Sequence, residues 1–193
     1  MQKSLKEEIR LISEAGLLKR VKRSGWWVVG IDNPESVADH SFRCAVIGYI
    51  LSKLEKADSN KVLIMTLFND LHEARIGDLH KMSQRYLKVE KAEDEAFMEQ
   101  VEKVDGAIKN ELKDMRKEYR RQMSEESIIA RDADILECLF QAKEYSEFGK
   151  KEALKFMKKA PGHLSSKSAK RLWNYLKSKN LNSWWEGLTS FKR

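Results

Sequence analysis

Residues 66–82, TLFNDLHEARIGDLHKM, set Asp70, His72, Glu73 and Asp78 within nine positions behind an apolar start. Carboxylates and imidazoles at this density can lie idle on a helix surface, or they can hold a divalent cation and move protons beside it. The second use needs partners from elsewhere in the chain. No single helix can surround an ion, so metal sites in helical bundles draw imidazole and carboxylate groups from facing helices. Two other stretches offer such groups: PESVADHSFRCA carries His40, and IIARDADILECL carries Asp132 and Asp134. Taken singly, each of these residues is more often an ordinary solvated side chain. The chemistry depends on whether three separate elements bring them together.

Those elements read as helices. Two prolines and nine glycines in 193 residues, with apolar groups recurring at i, i+3 and i+4, predict an all-α helical bundle folded as a single domain over 1–193. A first helix is expected over 4–18, burying Leu5, Ile9 and Ile12. The loop RSGWWVVGIDNPE then interrupts the pattern at Gly25, Gly30 and Pro34, with room for a short extended turn at WWVV. A second helix over 36–56 places Val37, Cys44, Ile47, Leu51 and Leu54 on one stripe. A third, capped by Asn60, runs to Ile76 and stops at Gly77. Further helices are expected over 89–103, 106–123, 125–148, 151–159 and 166–179, with Ser124 capping the longest and Gly149 ending it. Trp26 and Trp27 read as loop packing rather than a base-stacking platform. Trp184 and Trp185 read as core closure or a subunit contact.

Composition narrows the setting. Thirty-seven Lys and Arg against 30 Asp and Glu leave a charge of +7, which attracts anions without naming one. The basic residues are dispersed in mixed runs such as KNELKDMRKEYRRQ, so solvated helix faces are expected rather than a nucleic-acid stripe. Cys44 and Cys138 both lie in apolar helical patterns, which suits small core residues in a reducing cytoplasm. The N-terminal stretch is charged and amphipathic, and no apolar run approaches a membrane span, so no membrane partner is expected.

Three ordered blocks, LLKRVKRSGWWVVGIDNPESVADHSFRCAV, NDLHEARIGDL and ARDADILECLFQAKEY, resemble the HD-domain metal-dependent phosphohydrolases, and within them the branch of 5′-deoxynucleotidases. The resemblance extends to about Tyr145. It implies an HD-domain-like bundle, a cytoplasmic homodimer, and one divalent metal ion (Mn, Co, Mg, Zn or Ni) held by His40, position 69 with Asp70, and Asp134. It also implies dephosphorylation of a small-molecule nucleoside 5′-monophosphate by a metal-bound hydroxide. Glu73 and Asp78 are then the catalytic carboxylates, with Asp78 also near the phosphate. Arg20 and Lys81 are expected to bind substrate.

Two departures from that pattern stand out. The family's His-Asp pair reads Asn69-Asp70 here, and an amide oxygen is a poorer donor to transition metals than an imidazole nitrogen. The site should therefore bind metal more weakly or favour a harder ion such as Mg²⁺ or Mn²⁺. On a regular helix His72 cannot comfortably share a face with Asp70 and so does not readily replace the missing imidazole. The residue after Arg20, where relatives can place an aromatic group near the sugar, is Val21. Hydrolysis of another phosphate ester or a phosphodiester, or an impaired HD scaffold used only for binding, stay open as alternatives. Between the late aspartates, pattern favours Asp132 as the more buried, whereas the resemblance selects Asp134 as ligand and leaves Asp132 as a supporting or ion-paired residue.

Overall fold

The computed structural model describes residues 5–188; the expected first residue of the opening helix, Ser4, lies outside them. Among the described residues there are ten α-helices and no β-sheet: α1 (Lys6–Leu17), α2 (Val37–Glu55), α3 (Ser59–Phe68), α4 (Glu73–Ile76), α5 (Lys81–Gln84), α6 (Val89–Val101), α7 (Gly106–Arg121), α8 (Glu125–Glu147), α9 (Glu152–Phe156) and α10 (Lys167–Leu176). No described helix is long and apolar enough to cross a membrane.

Local sequence starts the two helices that matter most. Ser36 and Asp39 form a reciprocal cap at the head of α2, each side chain accepting the other's backbone N–H. Ser124 Oγ accepts the Ser127 N–H at the head of α8. Along α8, Ile129, Ala130, Ala133, Leu136 and Leu139 are buried against Ile47 and Leu51 of α2 and Val62 and Met65 of α3. Each such leucine contributes about 1.5–3 kcal/mol by leaving water. Gly48 sets how closely α2 and α3 approach, because a Cβ there would stand 2.9 Å from Val62 Cγ1 and 3.1 Å from Thr66 Cγ2. A second core joins Leu11, Val37, Leu71, Phe97, Val101 and Leu112. His40 follows Val37 by one turn and Asp70 precedes Leu71, so both polar groups are fixed where the two cores meet.

Several expectations are corrected. The WWVV stretch is not extended: Ser24–Val29 is a 3-10 helix. Asp58, not Asn60, caps α3. The third helix does not run unbroken to Ile76; it ends at Phe68, and α4 begins after a turn over 69–72. α1 buries Leu11 and leaves Leu5, Ile9 and Ile12 exposed, because its partners lie on the Leu11 and Ala15 side. Leu54 is exposed as well, because it lies on the same face of α2 as the exposed Phe42, Val46 and Ile50. Trp184 and Trp185 are exposed and do not close the core. Trp26, by contrast, packs edge-on against Tyr145 with ring centroids 5.3 Å apart, so it serves loop packing.

Candidate metal centre

His40 is 1% exposed, and its two nitrogens face different partners. Nδ1 meets the carboxylate of Glu137. Nε2 lies 3.2 Å from Asp134 Oδ1 and 3.5 Å from Asp70 Oδ2. The carboxylate at Nδ1 holds a proton on that nitrogen, so Nε2 is the nitrogen that would give up its proton to a cation on the side where Asp70 and Asp134 converge. Burial pushes the Asp134 pKa up, but the His40 hydrogen bond and charge, with Arg23 and Arg131, outweigh it and hold the carboxyl ionised.

Groups of His40 with Cys44 and Asp134, and of His40 with Glu137 and Cys138, are close enough to hold a single divalent metal ion. The donor chemistry fits a cation: one imidazole and several carboxylates gathered within one buried neighbourhood. The thiols are the weaker part of these groups. Cys44 Sγ lies 3.4 Å from Nε2 and 3.9 Å from Nδ1, which sets it against the ring face and off the in-plane lone pair. Cys138, half-buried rather than fully in the core, has Sγ 3.3 Å from Arg23 Nη2.

The turn after α3 has a specific cause. In a continuing α-helix the Asn69 carbonyl would accept the N–H of Glu73. Here that N–H goes to Asp70 O at 2.9 Å, tightening the backbone to i→i+3 spacing. Asn69 O is taken instead by Arg116 Nη1 at 2.7 Å and by His72 Nδ1 at 3.0 Å. The Asn69 side-chain amide donates to Asp70 Oδ1 at 2.7 Å. His72 is thereby turned away from His40, with Nε2 3.9 Å from Glu93 on α6.

Glu73 is buried, and its Oε2 has no hydrogen-bond partner. Burial, reinforced by the nearby Asp70 and Asp78 charges, raises its pKa well above the ordinary carboxyl range. Asp78 is held against the 3-10 helix Ser24–Val29: Oδ2 accepts from Ser24 N at 2.5 Å and from Ser24 Oγ at 2.9 Å, and Oδ1 lies 3.3 Å from Arg23 Nη1. Arg23, not Arg20, is the arginine that faces this cluster, within electrostatic reach of Asp70, Glu73 and Asp78. Residues 18–20 form a turn after α1, and the chain then runs extended, pairing Lys22 with Ser36 and Arg23 N with Glu35 O. Alternation in that short extended piece turns Lys22 outward to Pro34 O and Arg23 inward. Arg20 stays exposed on the turn, and Lys81 is exposed at the start of α5.

Four residues around this centre escaped the sequence reading: Arg23, Ser24, Arg43 and Glu137. Glu137 is three positions after Asp134 and Arg43 three after His40, so helical spacing alone puts each on the face of its neighbour. Arg43 grips Glu137 Oε1 through Nε at 3.0 Å and Nη2 at 2.7 Å, and reaches Glu144 through Nη1. Asp132 is the more buried of the late aspartates, and its oxygens accept the backbone N–H groups of Ser165 and Ser166 at 2.8 and 2.7 Å. It anchors the head of α10 rather than the metal site.

Comparison with known proteins shows the family. The model of the HD domain matches residues 15–173. A 5′-deoxynucleotidase HDDC2 from Dictyostelium discoideum is 34% identical over 141 residues, covering 68% of this chain and 74% of its own. The Homo sapiens protein of the same name is 31% identical over 147 residues, 75% of this chain and 70% of its own. Among solved structures, a conserved hypothetical protein from Pyrococcus furiosus superposes with a TM-score of 0.74 at 33% identity, covering 88% of this chain and 96% of that one. The chain belongs to the HD-domain family of metal-dependent phosphohydrolases and is related within it to the 5′-deoxynucleotidase branch.

Proposed function

We propose that the chain is a phosphomonoesterase that releases phosphate from nucleoside 5′-monophosphates, with deoxynucleotides preferred. One observation carries the reading: His40 Nε2 faces Asp70 and Asp134 while a partnerless, buried Glu73 oxygen and the Arg23 guanidinium share the same electrostatic neighbourhood. His40, Asp70 and Asp134 would hold the cation. Asn69 would contribute by fixing Asp70 through its amide. A divalent ion bound there supplies Lewis acidity, acidifying water and offsetting charge on the phosphoryl oxygens.

The protein's own groups do the rest. Arg23 is the candidate phosphate grip, in place of the exposed Arg20, since a guanidinium can hold two oxygens at once. Asp78 holds Arg23 and the 3-10 helix in register. Glu73, kept protonated by burial and neighbouring carboxylates, can pass its proton to the leaving 5′ oxygen. Lys81 would contact only a ligand long enough to reach the start of α5.

Colorimetric phosphate release from the deoxynucleoside and ribonucleoside monophosphates, with Mg²⁺, Mn²⁺, Co²⁺, Ni²⁺ or Zn²⁺ added, tests the proposal. Turnover of the deoxy series above the ribo series is the expected result. No release with any metal, or cleavage confined to cyclic or bridged phosphates, would overturn it.

A homodimer is also proposed. Phe42, Val46, Tyr49, Ile50 and Leu54 leave an exposed apolar stripe on α2, at the spacing of one helix face, and a second copy of the chain is the occupant that the family relation favours. Ile50→Glu should convert the dimer to monomer in size-exclusion chromatography with light scattering. Two free cysteines suit the reducing cytoplasm proposed as its location.

A further inference from the structure

Between α6 and α7 lies an open cleft of about 440 Å³ that none of the metal-centre residues lines. Its cationic wall is one face of α7, with Lys113, Lys117, Arg120 and Arg121 set against Asp94 and Asp114. Lys113 is occupied by Glu102, and Arg120 by Glu93 and Asp94. No carboxylate partner is found for Lys117 or Arg121 among the described residues. The cleft also reaches Arg116, only 4% exposed, which stacks over the Phe97 ring and donates from Nε to Asp94. Its Nη2 lies 3.0 Å from the same Asp94 oxygen but makes no properly directed hydrogen bond. A buried cationic donor is therefore left under-used beside a basic cleft.

We propose that this cleft is a second anion site, taking a small molecule that carries a chain of phosphates and acting on the metal centre through Arg116. The volume falls within the range of small-molecule sites, about 300–1,000 Å³. Lys117 and Arg121 lie four residues and about 6 Å apart along the helix, which suits linked phosphates better than one. The same Arg116 holds Asn69 O through Nη1, so an anion competing for its guanidinium loosens the turn that presents Asp70. Linkage is reciprocal: occupancy of the cleft and cation affinity must each change the other. The proposal does not depend on which phosphate ester the metal centre hydrolyses.

Isothermal titration with tripolyphosphate and with ATP, without added divalent ion because both chelate it, tests the site. The native chain is compared with Lys117→Glu/Arg121→Glu, whose substituted residues face solvent, and with Arg23→Ala, which removes the phosphate grip at the metal centre. The double charge reversal should weaken both ligands at least tenfold, the corresponding double alanine variant about threefold, and Arg23→Ala less than twofold. Orthophosphate should bind far more weakly than either. Amide resonances of Asn69 and Asp70 should shift on titration of the native chain. Unchanged affinity in the double variant, loss of binding in Arg23→Ala, or tighter binding of a single-stranded oligonucleotide than of tripolyphosphate would each overturn the site.

Discussion

Glu137 sits behind His40 with one carboxylate oxygen on Nδ1 and the other gripped by Arg43, so the imidazole is oriented from the buried side of α8. This pair gives a fully enclosed glutamate a use: it fixes the proton on Nδ1 and the ring plane of a metal-ligand candidate. Removing such support typically lowers metal affinity 10–100-fold. Glu137→Gln is therefore expected to raise the dissociation constant for Mn²⁺ or Co²⁺ by about that factor in a chelator-competition titration. Arg43 retains Glu144, so the variant should stay folded by circular dichroism. An unchanged metal constant in a folded variant would show that Glu137 only fills space.

Arg20 and Arg23 lie three positions apart but differ completely in setting, the first exposed and the second beside Asp78 and Cys138. Charge-assisted contacts of the kind proposed for Arg23 are worth about 1.5–3 kcal/mol. Arg23→Ala should accordingly lower kcat/KM for phosphate release by about 10- to 100-fold, whereas Arg20→Ala should stay within about twofold. Steady-state kinetics on one good substrate decides it. Equal losses in both variants would return the phosphate grip to Arg20.

Asn69 offers a metal only amide chemistry, and its side-chain amide is already committed to Asp70 Oδ1. An imidazole at this position would add a nitrogen donor suited to Co²⁺, Ni²⁺ and Zn²⁺ but of little use to Mg²⁺. In Asn69→His the affinity for Co²⁺ and Ni²⁺ should rise at least about tenfold while that for Mg²⁺ changes little, read by dye competition rather than turnover. A uniform rise for all ions, or none, would mean that residue 69 does not belong to the ligand set.

Sequence pattern reached the long helices because their signals are local: Ser124 before α8, alternating small and large apolar residues along it, and Gly149, which adopts φ 92° just beyond it. His40, Asp70 and Asp134 are singled out by the resemblance of three ordered blocks, since helical pattern alone favours Asp132 over Asp134. What pattern could not carry was anything decided by a distant partner. The break at Asn69 depends on Arg116, forty-seven residues later, taking a carbonyl that a regular helix would have used. Arg23 turns inward because residues 21–23 run beside 35–37, a pairing that no helical periodicity encodes. The face of α1 departs from pattern for a related reason: Leu5, Ile9 and Ile12 form a good apolar stripe, yet the cores offer partners to Leu11 instead.

Glu35 provides a pH test at a carboxyl that is not itself a proposed ligand, although the His40 charge acts on it. Its carboxyl accepts from Trp26 Nε1 at 2.9 Å and lies 3.9 Å from Arg43 Nη2, but burial, followed by the charge of Glu137, raises its pKa from 4.5 to about 8. The folded protein thus keeps a proton here that the unfolded chain releases above about 4.5. With the folded value the higher one, the associated stability is complete below the unfolded pKa and is lost as pH rises toward 8. Glu35→Gln mimics the protonated form and removes this dependence. Between pH 5 and pH 8.5 the native chain should lose about 1 kcal/mol or more relative to the variant, about 2–4 °C in Tm for a chain of this size. Parallel melting curves of the two proteins across that range, followed by circular dichroism, would contradict the raised pKa.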